Sequence, residues 1–391
     1  MKRRTGIALL MGIFVLIGGK VFAQGLEFSG MLDSNAAMAA GAGDAPGFSW
    51  GLEEYANIRL QAKVRDLAAF YGSLNLIAAS GTYAQALAAA ASPLAASPGF
   101  NSSALAAGEN YAAALELERL YFKLSGEKLD FQGGLMRLAF GYGFAFGPAD
   151  FLNPRNPLLP DARPRAALAL DAAFYPGHDL KVQGFTAAAR NPFAGGGQGT
   201  LAGLAGEWHG DRLSVQGLYA YESPISGSQG LHRFGLSLKG DLVLGLAGEL
   251  LYTWDPQAKT GGAGLSAGFD YSFLDGKVYV LAEYLYSGDS SDTSRTNGYA
   301  NNHYLYVQGL YRYSDYTGFS LGCMAGLEDA GFTPMLGAEH ELFQGFTLSL
   351  SCQIPLDRSL GGGERGEFGP IAPGSSGGSY LRTVMKARLR F

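Results

Sequence analysis

The chain has 391 residues, of which only 16 % are charged, while 58 are glycine, 21 tyrosine and 24 phenylalanine. A net charge of −5 without a basic stripe excludes nucleic acid as a natural partner. Two cysteines, Cys323 and Cys352, exclude a disulfide framework. The five histidines, His178, His209, His232, His303 and His340, are scattered and give no metal-ligand spacing.

Lys2, Arg3 and Arg4 precede an apolar run from Ile7 to Ile17, and Val21-Phe22-Ala23 follows. This reads as a secretory signal over 1–23, cut at Ala23/Gln24, and not as a membrane anchor. No cysteine follows the cut, which argues against a lipid-anchored N-terminus. No later apolar run reaches 18 residues, so no helix is expected to span a membrane. No linker divides 24–391, which is read as one domain.

Period-two alternation then recurs to the end of the chain. The first candidate strand is 25–34, starting too close to the cut to leave an N-terminal plug. In 56–64, Ala56, Ile58, Leu60, Ala62 and Val64 oppose Asn57, Arg59, Gln61 and Lys63. In 242–254, Leu242, Leu244, Leu246, Gly248, Leu250, Tyr252 and Trp254 share a face. In 277–288, Val278, Val280, Ala282, Tyr284 and Tyr286 oppose Lys277, Tyr279, Leu281 and Glu283. In 346–354, Phe346, Leu348, Leu350, Cys352 and Ile354 oppose Thr347, Ser349, Ser351 and Gln353. Cys323 and Cys352 fall on strands two apart, about 9–10 Å by strand spacing, so free outward thiols are expected.

Short gaps, such as 125–128, 209–212 and 343–345, alternate with generally longer ones, such as 34–49, 80–109, 143–164, 287–302 and 355–380. The count is about eighteen strands, range 16–18, with both termini on the short-turn side. The fold expected is an all-β, closed antiparallel transmembrane barrel with short periplasmic turns and long external loops. A soluble sandwich would have shorter strands and no segregation of loop lengths. In hydrocarbon the last strand must pair with the first, because an open edge cannot be satisfied there.

The final strand, 383–391, carries Met385, Ala387, Leu389 and Phe391 on one face and Lys386, Arg388 and Arg390 on the other. It resembles the C-terminal assembly signal of bacterial outer-membrane proteins. The stretch "RLAFGYGFAFGPADFLNPRNP" (137–157) resembles a Gly-x-Gly…Pro-x-Asp…Asn-Pro loop of some porin-like families, although a proline-rich loop cap would read alike. The resemblance implies a multi-pass protein of the bacterial outer membrane, recognised by the outer-membrane protein assembly machinery and surrounded by outer-membrane lipid. It also admits a homo-oligomer.

Residues alternate to the lipid face line the lumen, which in barrels of this size is an aqueous channel. The basic candidates are Arg59, Lys63, Lys386, Arg388 and Arg390, and the acidic ones are Glu249, Glu283, Glu339 and Glu341. Two such sectors would set a field across the pore and favour polar or charged small solutes; a lumen that is polar without selection is the plainer alternative. Loop 143–164, with Asp150, Arg155, Asp161 and Arg163 among its prolines, is the favoured constriction. Loop 80–109 has alanine runs of helical propensity broken by Pro93 and Pro98. No enzyme motif, cofactor or metal site is expected. The reading is a porin-like channel for passive diffusion of small hydrophilic solutes. Alternatives are a surface adhesin or structural barrel, and a gated transporter of apolar ligands.

Overall fold

A strand with one apolar and one polar face, and no soluble core to join, needs water on one side and hydrocarbon on the other. The computed structural model describes residues 25–41, 48–90, 102–153, 155–158, 166–188, 199–223, 230–288, 301–328, 331–356 and 380–391. The sequence calls on the signal segment, on Asp161 and Arg163 and on most of 355–380 lie outside them.

The strands are β1 (Gly25–Gly41), β2 (Phe48–Val64), β3 (Ala68–Gly81), β4 (Ser102–Ala107), β5 (Tyr111–Ser125) and β6 (Leu129–Met136). Next come β7 (Ala167–Phe174), β8 (Leu180–Ala188), β9 (Thr200–His209), β10 (Leu213–Glu222), β11 (Leu231–Asp241) and β12 (Gly245–Asp255). The last are β13 (Thr260–Phe273), β14 (Val278–Gly288), β15 (His303–Arg312), β16 (Thr317–Gly326), β17 (Phe332–Phe343), β18 (Phe346–Gln353) and β19 (Tyr380–Arg390). No described helix is long and apolar enough to cross a membrane.

All pairings are antiparallel, and β19 returns to β1 from Met31↔Arg390 to Gly41↔Tyr380, which closes the ring. β3 pairs with β5, so β4 stands outside the ring and eighteen strands form the wall. The seam ends with Gly30 N–H donating to Phe391 O at 2.7 Å and Phe391 N–H to Gly30 O at 3.1 Å. Outward residues such as Phe234, Leu236 and Leu238 on β11 stay exposed, as do Phe319 and Leu321 on β16. Water would not tolerate that much apolar surface, and a bilayer requires it. Cys323 and Cys352 are free and share the parity of the outward leucines.

Two boundaries differ from the sequence reading. β1 continues to Gly41, past the expected end at residue 34, because Ala36, Met38 and Ala40 keep alternating beside β2 and β19. Conversely, 242–244 form the turn before β12, with Leu242 N–H donating to Leu244 O at 3.1 Å.

The wall changes character at β5. One edge of β5 carries β3 along nearly its whole length. Its other edge is shared: β6 pairs with Leu120–Ser125 and β4 with Ala112–Glu116. β6 stops at Met136, shortly after Gly134 at φ 130, where a Cβ would collide with Leu120 O. There the chain leaves the wall and turns into the lumen, while β4 extends the sheet above the departure.

Candidate functional site

The segment after Met136 crosses the barrel interior, held by side chains that alternation points inward. Gly141 N–H donates to Gln216 Oε1 on β10 at 2.7 Å. Tyr142 and Gly143 N–H donate to Glu249 Oε1 on β12, and Ala149 N–H to its Oε2 at 3.0 Å. Phe144, Ala145 and Phe146 N–H converge on Glu283 Oε2 of β14 at 3.1, 2.6 and 3.3 Å. Arg155 donates to Gly143 O and, at 3.2 Å, to Phe144 O, closing the loop on itself. Gln353 Nε2 on β18 reaches Leu158 O at 2.9 Å. Gly141 has φ 79 and lies against the Glu249 carboxylate, which leaves no room for a Cβ.

The loop also has an apolar underside. Met136, Leu138, Phe140 and Phe151 pack against Phe185, Leu201, Leu218 and Leu251 of the β8–β12 wall. Phe146, fully buried, packs among Leu281, Leu285, Tyr304, Tyr306 and Met324. Such a set of apolar side chains pointing into a nominally aqueous lumen makes sense only under a docked cover. A second cover sits beside it: helix Thr82–Ala90 buries Ala84 and Leu87 against Tyr55, Ile77, Ala79, Ala112 and Ala114. Loop 143–164, the favoured constriction, and loop 80–109 therefore both fold inward over the described residues.

These contacts correct the acidic-sector expectation. Glu249 and Glu283 do point inward, but they are 3 % and 1 % exposed and their oxygens are taken by the loop. They anchor a peptide and do not line open water. Glu339 is exposed, and Glu341 accepts Gly345 N–H at 3.1 Å in the β17–β18 turn, at the rim. The constriction segment also starts earlier than residue 143. "LAFGYGF" alternates like a strand, yet 137–142 already belongs to the loop, because its N–H groups find Gln216 and Glu249 in place of a neighbouring strand.

Asp150 is fully buried beneath the loop, and its Oδ1 accepts Phe140 N–H at 3.4 Å and Asn153 Nδ2–H at 3.1 Å. Its Oδ2 finds no partner among the described residues. Burial pushes its carboxyl up to about 6, against the Asn153 hydrogen bond and the charges of Arg155 and Arg137. Burial also lowers Arg137 and, with help from Glu207, raises Tyr142, whose hydroxyl donates to Glu207 Oε1.

The loop covers inward side chains of β8–β12 and β14–β16, while most of the basic candidates stand on β19 and β2, on either side of β1. Here Arg388 makes two hydrogen bonds to the buried Asp33, at 2.8 and 2.7 Å. Arg59 Nε donates to Asn57 Oδ1 at 2.5 Å, and Lys386 stands beyond Arg388, in register with Asn35. Lys63 pairs with Glu27 at 3.5 Å near the rim, and exposed Arg390 lies at the same end. Sequence reasoning missed Arg382, which donates to Gln353 Oε1 at 3.3 Å and shares the parity of Arg388. It also missed Arg119, brought inward beside Glu118 by a bulge where Ser73↔Arg119 is followed by Leu74↔Leu117.

No family model matches the chain, and no curated protein matches it. Solved structures do. OccK7 (OpdD) of Pseudomonas aeruginosa is 11 % identical with a TM-score of 0.57, over 95 % of this chain and 99 % of that one. OccAB3 of Acinetobacter baumannii is 10 % identical with a TM-score of 0.58, over 94 % and 99 %. OccK2 (OpdF) of P. aeruginosa in complex with glucuronate is 10 % identical with a TM-score of 0.56, over 95 % and 100 %. The chain shares the barrel fold of these outer-membrane proteins over nearly its whole length.

Proposed function

We propose that the chain is an outer-membrane channel through which small hydrophilic solutes diffuse passively, with anionic solutes favoured. The observation that carries this reading is the docked loop. It covers apolar side chains of β8–β12 and β14–β16, and in this reading the passage runs past Arg59, Arg382, Lys386 and Arg388 on the other strands. The loop's own Arg137 and Arg155 and the wall's Arg119 add to the same positive field, which low-dielectric walls focus along the passage. Glucuronate, bound by OccK2, exemplifies the solute class: a small polar body with one carboxylate. A channel of this kind needs no cofactor and no catalytic group.

Single-channel recording of the purified protein in planar bilayers tests the reading. Discrete, steady conductance steps with a reversal potential favouring anions are expected. A barrel that is folded by heat-modifiable gel migration yet conducts nothing would remove it in favour of a structural or adhesive barrel.

A further inference from the structure

One arc of the outward face, at the long-loop rim from β10 to β15, has a chemistry of its own. Two strands of the arc, separated by three others, carry Tyr-x-Tyr there, Tyr219 with Tyr221 on β10 and Tyr284 with Tyr286 on β14. In each case the next strand places a histidine directly opposite the second tyrosine: Tyr221↔His232 and Tyr286↔His303. The two units share their contacts. The first tyrosine's hydroxyl meets the ring nitrogen, Tyr219 Oη to His232 Nδ1 at 3.0 Å and Tyr284 Oη to His303 Nδ1 at 2.6 Å. The second tyrosine packs on the imidazole, with centroids 4.9 and 5.1 Å apart.

Between the units β12 brings Tyr252 and Trp254, with Trp254 opposite His232. Tyr252 lies over Gly261 of the adjoining β13, and Tyr286 over Gly288 at the end of its own strand.

Each Tyr–His pair shares one hydrogen. If tyrosine donates to Nδ1, the Nε2–H is left over; if Nδ1–H donates, the tyrosine O–H is left over. Either way an unspent donor remains on each unit, and Trp254 adds an indole N–H. Lys259, exposed in the β12–β13 turn, adds a full positive charge. Of the neighbouring carboxylates, Glu222 is ion-paired with Arg233 at 2.7 Å; Glu222 and Asp255 share the inward parity of Leu218 and Leu251, and Asp255 and Glu328 accept backbone N–H groups from Gln257, Ala258 and Asn302. The rim therefore presents donors and a cation at the level where a bilayer places headgroups.

We infer that this arc binds the anionic headgroups of outer-leaflet lipid, with His232, Trp254 and Lys259 forming one site and His303 marking a second. The assignment rests on the membrane placement of the barrel and not on any transported solute.

Trp254 supplies the probe. A Trp50→Phe/Trp208→Phe variant leaves it as the sole tryptophan, reconstituted in phosphatidylcholine bilayers containing brominated phosphatidylcholine or brominated phosphatidylglycerol. Stronger quenching by the brominated anionic lipid is expected, by about fivefold in relative binding constant, the effect of one cation near an anionic surface. An excess of inorganic phosphate should leave the ratio unchanged, since the occupant is a lipid. Adding His232→Phe/Lys259→Gln should bring the ratio to one, whereas His232→Gln, which keeps a donor, should retain most of it. A sole Trp208 at the opposite rim should show no preference. Equal quenching by both lipids, or a preference untouched by His232→Phe/Lys259→Gln, would overturn the inference. Conductance is read separately, so a failed channel reading would leave this result interpretable.

Discussion

Two glutamates carry an unusual share of the interior. Glu249 and Glu283 together accept six backbone N–H groups from 142–149, while no described lysine or arginine pairs with either. Hydrogen bonds to a charged acceptor are worth about 1.5–3 kcal/mol each, so the two side chains hold the loop against the conformational entropy it would regain on release. In a Glu249→Gln/Glu283→Gln variant both acceptors lose their charge, and at 249, where both oxygens accept, the amide NH₂ would face at least one N–H donor. The loop should leave its seat and the single-channel conductance should rise, with the barrel still folded by gel migration. An unchanged conductance step would show that the apolar underside alone suffices.

The loop as an element is held by more than these two acids, and Asp150 tests its depth. Its carboxyl is raised to about 6 by burial, so the docked state favours the protonated form. Stability from this group is fully present below the ordinary value near 4 and is lost as pH rises to about 6. The loss is on the order of 3 kcal/mol. Asp150→Asn should therefore protect the 141–149 amides from hydrogen exchange more than the wild type does at pH 7.5. The two proteins should converge near pH 4, and an equal difference at both pH values would rule out the Asp150 carboxyl as its source. Such depth was not legible in the sequence. The strands were, because alternation is a local property: 56–64 and 346–354 read as strands and fall in β2 and β18. So was the segregation of loop lengths. The loop's path was hidden because "LAFGYGF" alternates like a strand while its partners lie about a hundred residues downstream. β4 was hidden in an alanine-rich run whose pairing depends on β6 leaving the wall. Gly134 was visible only as one among 58 glycines, and Gly141 only as the first glycine of the Gly-x-Gly in 137–157.

At the scale of the whole molecule, closure and charge meet at the seam. Phe391 ends β19 with its ring over Gly30, and both backbone hydrogen bonds of that pair are made. We propose that Met385, Ala387, Leu389 and Phe391 serve assembly; deleting Phe391 should reduce the heat-modifiable, membrane-inserted fraction without altering the conductance of barrels that do insert. Normal insertion would dismiss the signal role and leave the fold intact.

The same strands carry the cations of the passage, and the choice of which to remove follows from their partners. Arg388 is unsuitable, because its loss would strand Asp33, 5 % exposed, as an uncompensated buried charge at a cost of about 3–5 kcal/mol. The hydrogen bonds of Arg59 and Arg382 go to the neutral amides of Asn57 and Gln353, and Lys386 stands opposite Asn35 in the register of the seam. Arg59→Gln/Arg382→Gln/Lys386→Gln should thus leave folding and unit conductance nearly unchanged while shifting the reversal potential in a salt gradient toward cations. Screening sharpens the test: with a Debye length of about 10 Å at 0.1 M and 3 Å at 1 M, the difference from the wild type should shrink as salt rises. A reversal potential indifferent to all three substitutions at low salt would mean that the lumen is polar without being selective.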